Sequence, residues 1–333
     1  MKAHQLVRLG ANIARGKRMP FSMTFILTHR CNFQCEYCNV PAKAGEEMSQ
    51  AEFCAAIDEL KDAGMSRASF SGGEALLRRD AVPIIAHAKL KGLFTSLNSN
   101  AWLLERRLPE LQGVLDMLVV SLDGPEQVHD LVRRQSGSYA RVVKVLEQAR
   151  QLGIPTATIT VLSEPNLHVI GDVLQLAETH GFWAYFQPAY ENCFSTDDGL
   201  DPSMTPRIYG DLATRLRLEK VAGRPIGAST GYLDRLEQGP HFGDCGRCHA
   251  GHFFGTVMPD GEVVPCHLRS AESPRFNGRE VGFAEAFRRM VVPQAGPGCA
   301  ISPYQESDLI FGLDVRAVRD ALTRMRGVVR KSV

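Results

Sequence analysis

Three cysteines near the start of the sequence have the spacing of ligands to one soft metal centre. Cys31, Cys35 and Cys38 form C-x3-C-x2-C directly after a predicted strand. Thiolates bind zinc and iron–sulfur clusters. Structural zinc takes four ligands, and each iron of a [4Fe–4S] cluster needs its own ligand. Three thiolates would therefore leave one iron open to a substrate or cofactor. A zinc loop or three core cysteines are the alternatives that spacing alone leaves open.

A second group of four cysteines lies in the last third of the chain: Cys245, Cys248, Cys266 and Cys299. Four thiolates would close a second iron–sulfur cluster, and an iron stays open if the last of them is not a ligand. Because C-x2-C on a turn is also typical of zinc ribbons, His249 and His252 are candidate ligands in that alternative.

Composition narrows the class of protein. The chain has 333 residues, nine cysteines and a net charge of +1. It needs no disulfide staples at this length, and it shows no secretory signal, so metal or catalytic roles for the cysteines are favoured. The balanced charge gives no general attraction to nucleic acid, and no apolar run reaches the ~18 residues of a membrane span. We therefore expect a cytoplasmic protein that does not bind nucleic acid.

Two cysteines remain outside both groups. Cys54 lies on the apolar face of the first predicted helix and is expected to be a small core residue. Cys193 follows the sixth predicted strand, where a substrate cavity should open. It is the candidate catalytic residue, as a donor of a hydrogen atom or a thiolate, although an inert thiol is the more common role.

The elements that must position these residues are strands that alternate with helices. Six short apolar or β-branched runs are predicted strands: Met23–Leu27, Arg67–Phe70, Leu93–Leu97, Met117–Leu122, Thr156–Leu162 and Trp183–Gln187. Such alternation predicts parallel pairing with right-handed crossovers. The fold class is α/β, a partial (β/α)6 TIM-like barrel, with an open parallel sheet as the alternative. Functional residues should follow the carboxyl ends of the strands.

The sequence divides into four predicted segments. Residues 1–20 form a basic amphipathic helix, residues 21–204 the barrel, and residues 205–240 linker helices. Residues 241–333 form a small cysteine-rich domain with a C-terminal helix. Within it, Pro259-Asp260-Gly261 predicts the turn of a hairpin.

Three motifs together resemble those of radical S-adenosylmethionine (SAM) enzymes. The segment Thr28-His29-Arg30-Cys31-Asn32-Phe33-Gln34-Cys35-Glu36-Tyr37-Cys38 is similar to that family's cluster signature. Ser71-Gly72-Gly73-Glu74 resembles its "GGE" motif, and Ser121-Leu122-Asp123-Gly124 resembles its "SLDG". The resemblance covers about residues 20–190. It departs from the family at Ala75, where proline is usual, and at Ala101, where glycine is usual.

The resemblance implies a cofactor site. The first three cysteines would hold a [4Fe–4S] cluster, and the glycines would let the backbone approach SAM. Glu74 would accept hydrogen bonds from the methionine ammonium, and Arg78 would pair with the carboxylate. An N-terminal helix acid is the ordinary alternative for Glu74. The implied SAM-binding residues are Gly72, Gly73, Glu74, Arg78, Ser99, Ser121, Val161 and Gln187.

The C-terminal segment resembles a SPASM/twitch auxiliary-cluster domain. Cys248-x12-Gly261-x4-Cys266 has that domain's spacing, and the hairpin before Cys266 matches "PDG-x-V-x-PC". The resemblance implies one auxiliary cluster, of the [4Fe–4S] type, held by the four cysteines of the second group.

The resemblance implies reductive cleavage of SAM to a 5′-deoxyadenosyl radical, with flavodoxin or ferredoxin as electron donor. Two substrate classes are open: a small molecule, cofactor precursor or lipid in a biosynthetic pathway, or a precursor peptide that the enzyme matures. Peptide maturases often carry an extra N-terminal domain, and the cluster motif begins at Cys31, so we expect the first class. The segment Met1–Pro20 also resembles adenosyl-hopene transferases, whose substrate is a lipid. This basic helix either caps the barrel or contacts an anionic membrane surface.

Overall fold

The computed structural model describes residues 10, 12, 13, 15–43, 45–189, 206–239, 248–266, 274–291 and 301–330. Six strands form a parallel sheet in sequential order: β1 (Ser22–Ile26), β2 (Arg67–Ser71), β3 (Phe94–Ser99), β4 (Met117–Ser121), β5 (Thr156–Leu162) and β6 (Trp183–Pro188). Their ends differ from the predicted ones by at most two residues. The predicted α/β class is confirmed.

Helices follow the parallel strands as crossover connections. In the barrel region these are α1 (Gln50–Asp62), α2 (Ala81–Leu90), α3 (Leu104–Arg107), α4 (Glu126–Arg133), α5 (Ser138–Gln151) and α6 (Ile170–His180). A capping box of Ser49 and Glu52 begins α1: each side chain accepts a hydrogen bond from the other residue's backbone N–H. Helix α4 is an addition, because the sequence patterns predict no helix over residues 126–133.

The two faces of the sheet differ in character. Phe25, Phe70 and Leu97 point toward the helices and are 0% exposed within the main hydrophobic core. Ser69 and Asn98, which precede or follow them in the strands, point to the opposite face and are only half-buried. Burial of the apolar face accounts for the helix packing, and on β2 and β3 the opposite face is largely polar and partly accessible to water.

The C-terminal segment extends this sheet. Strand β7 (Phe254–Val257) pairs in parallel with β1, β8 (Glu262–Val264) pairs antiparallel with β7, and β9 (Phe276–Asn277) pairs with β8. The predicted turn lies between β7 and β8, with Gly261 at φ +93°, a conformation that favours glycine. The hairpin therefore forms as an edge of the barrel sheet, and the boundary proposed at residue 241 stays a prediction.

Helices complete the described residues after the barrel. They are α7 (Pro206–Val221), α8 (Thr230–Glu237), α9 (Gly278–Val281), α10 (Phe283–Arg289), α11 (Ser302–Phe311) and α12 (Val315–Arg330). The N-terminal helix predicted over residues 1–20 lies largely outside the described residues. Across the described part of the chain, no helix combines the length and apolar character needed to cross a membrane.

Candidate cofactor site

The three cysteines of the first group share an apolar environment directly after β1. Cys35 is 9% exposed and packs with Phe33, Tyr37 and Val161, while Cys31 and Cys38 border the same cluster. Burial raises the pKa of all three thiols, that of Cys31 to about 11. A bound metal centre would supply the positive charge that stabilises their thiolates.

The described residues contain no preformed site for a single metal ion. Within the described residues, no three His, Cys, Asp or Glu side chains converge to hold a single metal ion. A structural zinc ion needs its sulfur ligands about 2.3 Å from one point. A [4Fe–4S] cluster would instead take one thiolate on each of three irons.

The glycine motif packs against the backbone of the cysteine loop. A Cβ on Gly72 would lie 2.4 Å from the Thr28 carbonyl oxygen, and a Cβ on Gly73 would lie 2.4 Å from that of Arg30. The Gly73 and Glu74 amides donate to these same two carbonyls, at 2.8 and 2.9 Å. The glycines are therefore required because two chain segments approach each other closely. This requirement is additional to the approach of the backbone to SAM that the sequence implies.

Glu74 is a buried carboxylate with donors on several sides. It is 0% exposed and accepts from Ser99 Oγ at 3.1 Å and from the Asn100 amide at 2.8 Å. It also accepts from the Leu76 amide at 3.2 Å, so the capping role left open by the sequence is present as well. Burial raises the pKa of Glu74, and a cationic ligand placed beside it would offset that desolvation.

A buried network around Asp123 adjoins the thiols. Arg133 Nε lies 2.7 Å from Asp123 Oδ2, and the Tyr37 hydroxyl donates to the same oxygen at 3.0 Å. Arg133 Nη1 is also 3.7 Å from Cys35 Sγ. Arg133 was not among the residues predicted from the sequence, where its position downstream of the SLDG motif is the only signal.

Asn100 is a second missed residue. Its side-chain nitrogen Nδ2 donates to Asn32 Oδ1 at 3.0 Å and lies 3.9 Å from Cys31 Sγ. It occupies the position before Ala101, whose φ of +70° is the left-handed conformation that glycine normally takes. The departure at Ala101 therefore keeps the backbone conformation that a glycine would favour.

The remaining predicted SAM-binding residues separate into two sets. Ser121 is the last residue of β4, and Val161 pairs with Gln187 in the register of β5 and β6. All three residues therefore lie near the carboxyl ends of their strands. Arg78 instead forms two hydrogen bonds to Asp80, at 2.9 and 2.7 Å, and its guanidinium lies 5.1 Å from the Phe53 ring centroid. The described contacts thus place the Arg78 guanidinium within the chain's own packing.

The second cysteine group is only partly described. Cys248 and Cys266 belong to one hydrophobic cluster with Phe253 and Phe311. Cys193, Cys245 and Cys299 lie outside the described residues. Beside Cys248, the ring Nδ1 of His249 lies 2.8 Å from Asp308, which also accepts from Arg235 at 2.8 Å.

The fold and this site define the class of protein. A family model described as the radical SAM superfamily matches residues 25–177. The chain belongs to this superfamily and is a radical SAM enzyme, with SAM and a [4Fe–4S] cluster as the implied cofactors.

Two curated relatives extend the similarity over most of the chain. The PqqA peptide cyclase of Rhodopseudomonas palustris is 28% identical over 321 residues, covering 85% of this chain and 79% of the relative. The PqqA peptide cyclase of Bradyrhizobium diazoefficiens is 33% identical over 271 residues, covering 77% and 68%.

Solved structures share the fold at low identity. Streptococcus suis SuiB, bound to its precursor peptide SuiA, superposes with a TM-score of 0.67 at 13% identity, covering 84% of this chain and 68% of SuiB. The enzyme anSMEcpe with bound AdoMet superposes with a TM-score of 0.63 at 15% identity, covering 90% and 98%.

The expectation of a small-molecule or lipid substrate is wrong. Both curated relatives are named for action on a peptide, and SuiB was solved with a precursor peptide. The position of Cys31 was a poor guide to the substrate class, because a peptide can bind to surfaces formed by later parts of a chain. Membrane contact through residues 1–20 was expected partly because of a lipid substrate, so that expectation is no longer supported.

Proposed function

We propose that the chain is a peptide maturase that uses radical SAM chemistry to modify a precursor peptide. The observation that carries this proposal is the 28% identity to a PqqA peptide cyclase over 85% of the chain. Such coverage includes the C-terminal segment as well as the barrel, so the similarity extends beyond the cofactor motifs shared by the superfamily.

In this proposal the first cysteine group holds the cluster and Glu74 holds SAM. Cys31, Cys35 and Cys38 would each bind one iron, and Glu74 would accept hydrogen bonds from the methionine ammonium. When bound, these cofactors supply a radical able to take a hydrogen atom from an unactivated carbon. The chain's own part is to exclude water with the apolar cluster around Cys35 and to fix the orientation of Glu74 through the Asn100 amide.

The other SAM contacts are assigned by position. Ser99 already donates to Glu74, and Ser121 lies at the end of the neighbouring strand, where its hydroxyl would meet the carboxylate or ribose. Val161 and Gln187 would border the adenine. The buried Gln187 Oε1 has no hydrogen-bond partner among the described residues, which suits an acceptor for a ligand's amino group.

We also infer a SPASM/twitch-like auxiliary cluster in the C-terminal segment. Cys248 and Cys266 share one apolar cluster, and the hairpin between them has formed. Cys245 and Cys299 would supply the remaining thiolates of a [4Fe–4S] cluster, and residues 241–333 would be its domain. Iron analysis of the reconstituted chain should give about eight irons if both clusters are present and about four if the auxiliary cluster is not.

The test of the cofactor assignment is SAM cleavage by the reconstituted protein. With dithionite and SAM, the wild-type chain should release 5′-deoxyadenosine, and Cys35→Ala should abolish release. Cys54→Ala is the matched control, because Cys54 lies on α1 outside the thiol loop. Cleavage retained in the Cys35 variant would contradict the assignment.

The test of the peptide assignment is mass spectrometry of a precursor peptide encoded beside the gene. Incubation with the active enzyme should change the mass of the peptide, by loss of two hydrogen atoms if one new bond joins two residues. An unmodified peptide in the presence of active SAM cleavage would contradict the peptide proposal and leave the cofactor assignment standing.

A further inference from the structure

On β2 and β3, the face of the parallel sheet that points away from the helices is largely polar and partly accessible to water, and it is called the polar face below. Ser69, Ser71 and Asn98 lie on it and are half-buried, whereas Phe70 and Leu97 between them are 0% exposed on the helix side. Side chains alternate between the faces of a strand, so Arg67, the first residue of β2, lies on the polar face too.

The Arg67 guanidinium forms no hydrogen bond and no ion pair with any residue that the structure describes. Its guanidinium carbon lies 4.8 Å from the ring centroid of Phe94, its register neighbour on β3. The side chain is exposed to solvent, yet the surrounding protein desolvates it and lowers its pKa. The nearby carboxylate of Asp116 is bound to Lys89 at 2.6 Å. Arg67 therefore lies at a position, called the recess below, that is open to solvent yet partly desolvated by the surrounding protein, and no described carboxylate forms an ion pair with it.

A second guanidinium approaches the same recess from the C-terminal helix. Arg324 on α12 lies 5.9 Å from the ring centroid of Tyr185, which is on the polar face of β6. The two arginines repel each other, and both are close enough to Tyr185 to interact with it electrostatically. Arg324 Nη1 is buried without a hydrogen-bond partner, and its Nη2 is 3.5 Å from Glu306, a long contact.

The local charges do not balance. Seven charged side chains meet around the recess: Arg67, Lys89, Lys220, Arg324, Asp116, Glu306 and Asp320. Asp320 lies 3.6 Å from Lys220, and Glu306 accepts a hydrogen bond from the Ser229 amide at 2.5 Å. Four cations thus face three carboxylates. Because an unpaired buried donor is costly, an anionic ligand here would gain both hydrogen bonds and charge neutralisation.

We propose that Arg67 and Arg324 bind a carboxylate of the peptide substrate in this recess at the amino ends of the strands. The inference rests on the proposed peptide substrate and names the chemistry of the residue that it presents, an acidic side chain or a C-terminal carboxylate. Guanidinium groups suit this ligand because their planar fork matches the two oxygens of a carboxylate. Tyr185 provides a further polar group beside them.

The test compares three short capped peptides on the anaerobically reconstituted full chain. The probes are Ac-Gly-Glu-Gly-NH2, its glutamine counterpart Ac-Gly-Gln-Gly-NH2, and Ac-Gly-Gln-Gly-OH with a free C-terminus. Equilibrium binding at low salt should favour one carboxylate peptide over the neutral one by about tenfold or more, as expected for charge-assisted hydrogen bonds. Which carboxylate peptide is preferred distinguishes a side-chain from a C-terminal ligand.

Variants connect the preference to the two arginines. Arg67→Gln and Arg324→Gln should each reduce it to about twofold or less, whereas Arg106→Gln, at an exposed site on α3, should leave it intact. Arg67→Lys keeps the charge without the fork and should give an intermediate preference, which preserves the test if a glutamine variant does not fold.

Equal binding of all three peptides by the wild-type chain would overturn the proposal. So would an undiminished preference in both glutamine variants. The readout is binding and needs no turnover, so either result leaves the mass-spectrometric test of peptide modification unaffected.

Discussion

The two ends of the parallel strands hold charge in different ways. At the carboxyl ends, Asp123 is matched by Arg133, and Glu74 is surrounded by donors from Ser99 and Asn100. At the amino ends, the Arg67 guanidinium has no hydrogen bond or ion pair to any described residue. A charge that the chain satisfies internally supports the fold, whereas an unsatisfied one is available to a ligand. Substitutions at the two ends should therefore affect different measurements.

The largest effect on stability is expected from Asp123→Asn. The change keeps the shape of the side chain but leaves Arg133 as a buried cation without its partner. The free energy of unfolding should fall by about 3–5 kcal/mol as a result. Urea unfolding of the purified chain measures it, with Asp62→Asn at the exposed end of α1 as the control. A loss no larger than that of the control would show that the carboxyl end does not depend on this pair.

Gly73→Ala should have the second-largest effect on stability. Overpacking should lower the free energy of unfolding by about 3 kcal/mol. Its Cβ would meet the carbonyl oxygens of Arg30 and His29 at 2.4 and 2.6 Å, so the backbone must move. Gly45→Ala is the matched control, since its nearest atom is 4.0 Å away. Thermal unfolding compares the two, and equal midpoints would argue against close packing of the glycine motif on the cysteine loop.

His129 gives a pH-dependent prediction. Burial, with help from Arg133, lowers its pKa to about 4 from the ordinary 6.5. The unfolded chain therefore binds the proton more tightly, so this contribution to stability is complete above about pH 6.5 and is lost as pH falls toward 4. His129→Gln should remove up to about 3 kcal/mol of that pH dependence. Urea unfolding between pH 4 and 7 measures the difference, and parallel curves for wild type and His129→Gln would refute it.

Arg67→Gln should have the smallest effect on stability, within about 0.5 kcal/mol, because no described ion pair or hydrogen bond of its guanidinium is lost. The measurement is the unfolding midpoint without peptide. A large loss would mean that Arg67 supports the fold, and the contrast between the two strand ends would then fail.

The carboxyl end was largely predictable because its ligands are close together in sequence. Cys31, Cys35 and Cys38 lie in one loop, and Gly72, Gly73 and Glu74 are consecutive, so spacing and residue type indicate their chemistry directly. The strands were predictable from their apolar runs. Helix α4 was not, because its eight residues are fewer than the roughly 11–18 over which helical periodicity is recognised, and Arg133 was missed with it.

The amino end could not be predicted from the sequence. The proximity of Arg67, Tyr185 and Arg324 depends on the stagger of the strands and on the packing of α12, and no local pattern encodes either. Pairing of β7 with β1 was missed for the same reason, since a hairpin motif does not name its neighbour in the sheet. The predicted substrate class was wrong because the position of Cys31 says nothing about the surface that a peptide would contact.

The pairing of β1 with β7 has a consequence for the order in which the chain is assembled. Ser22 is held opposite Phe254, so the edge of the first strand stays without this neighbour until most of the polypeptide has left the ribosome. At the usual pace of synthesis that interval lasts roughly 10–50 s. The strand that leads into the thiol loop is thus made first and enclosed late.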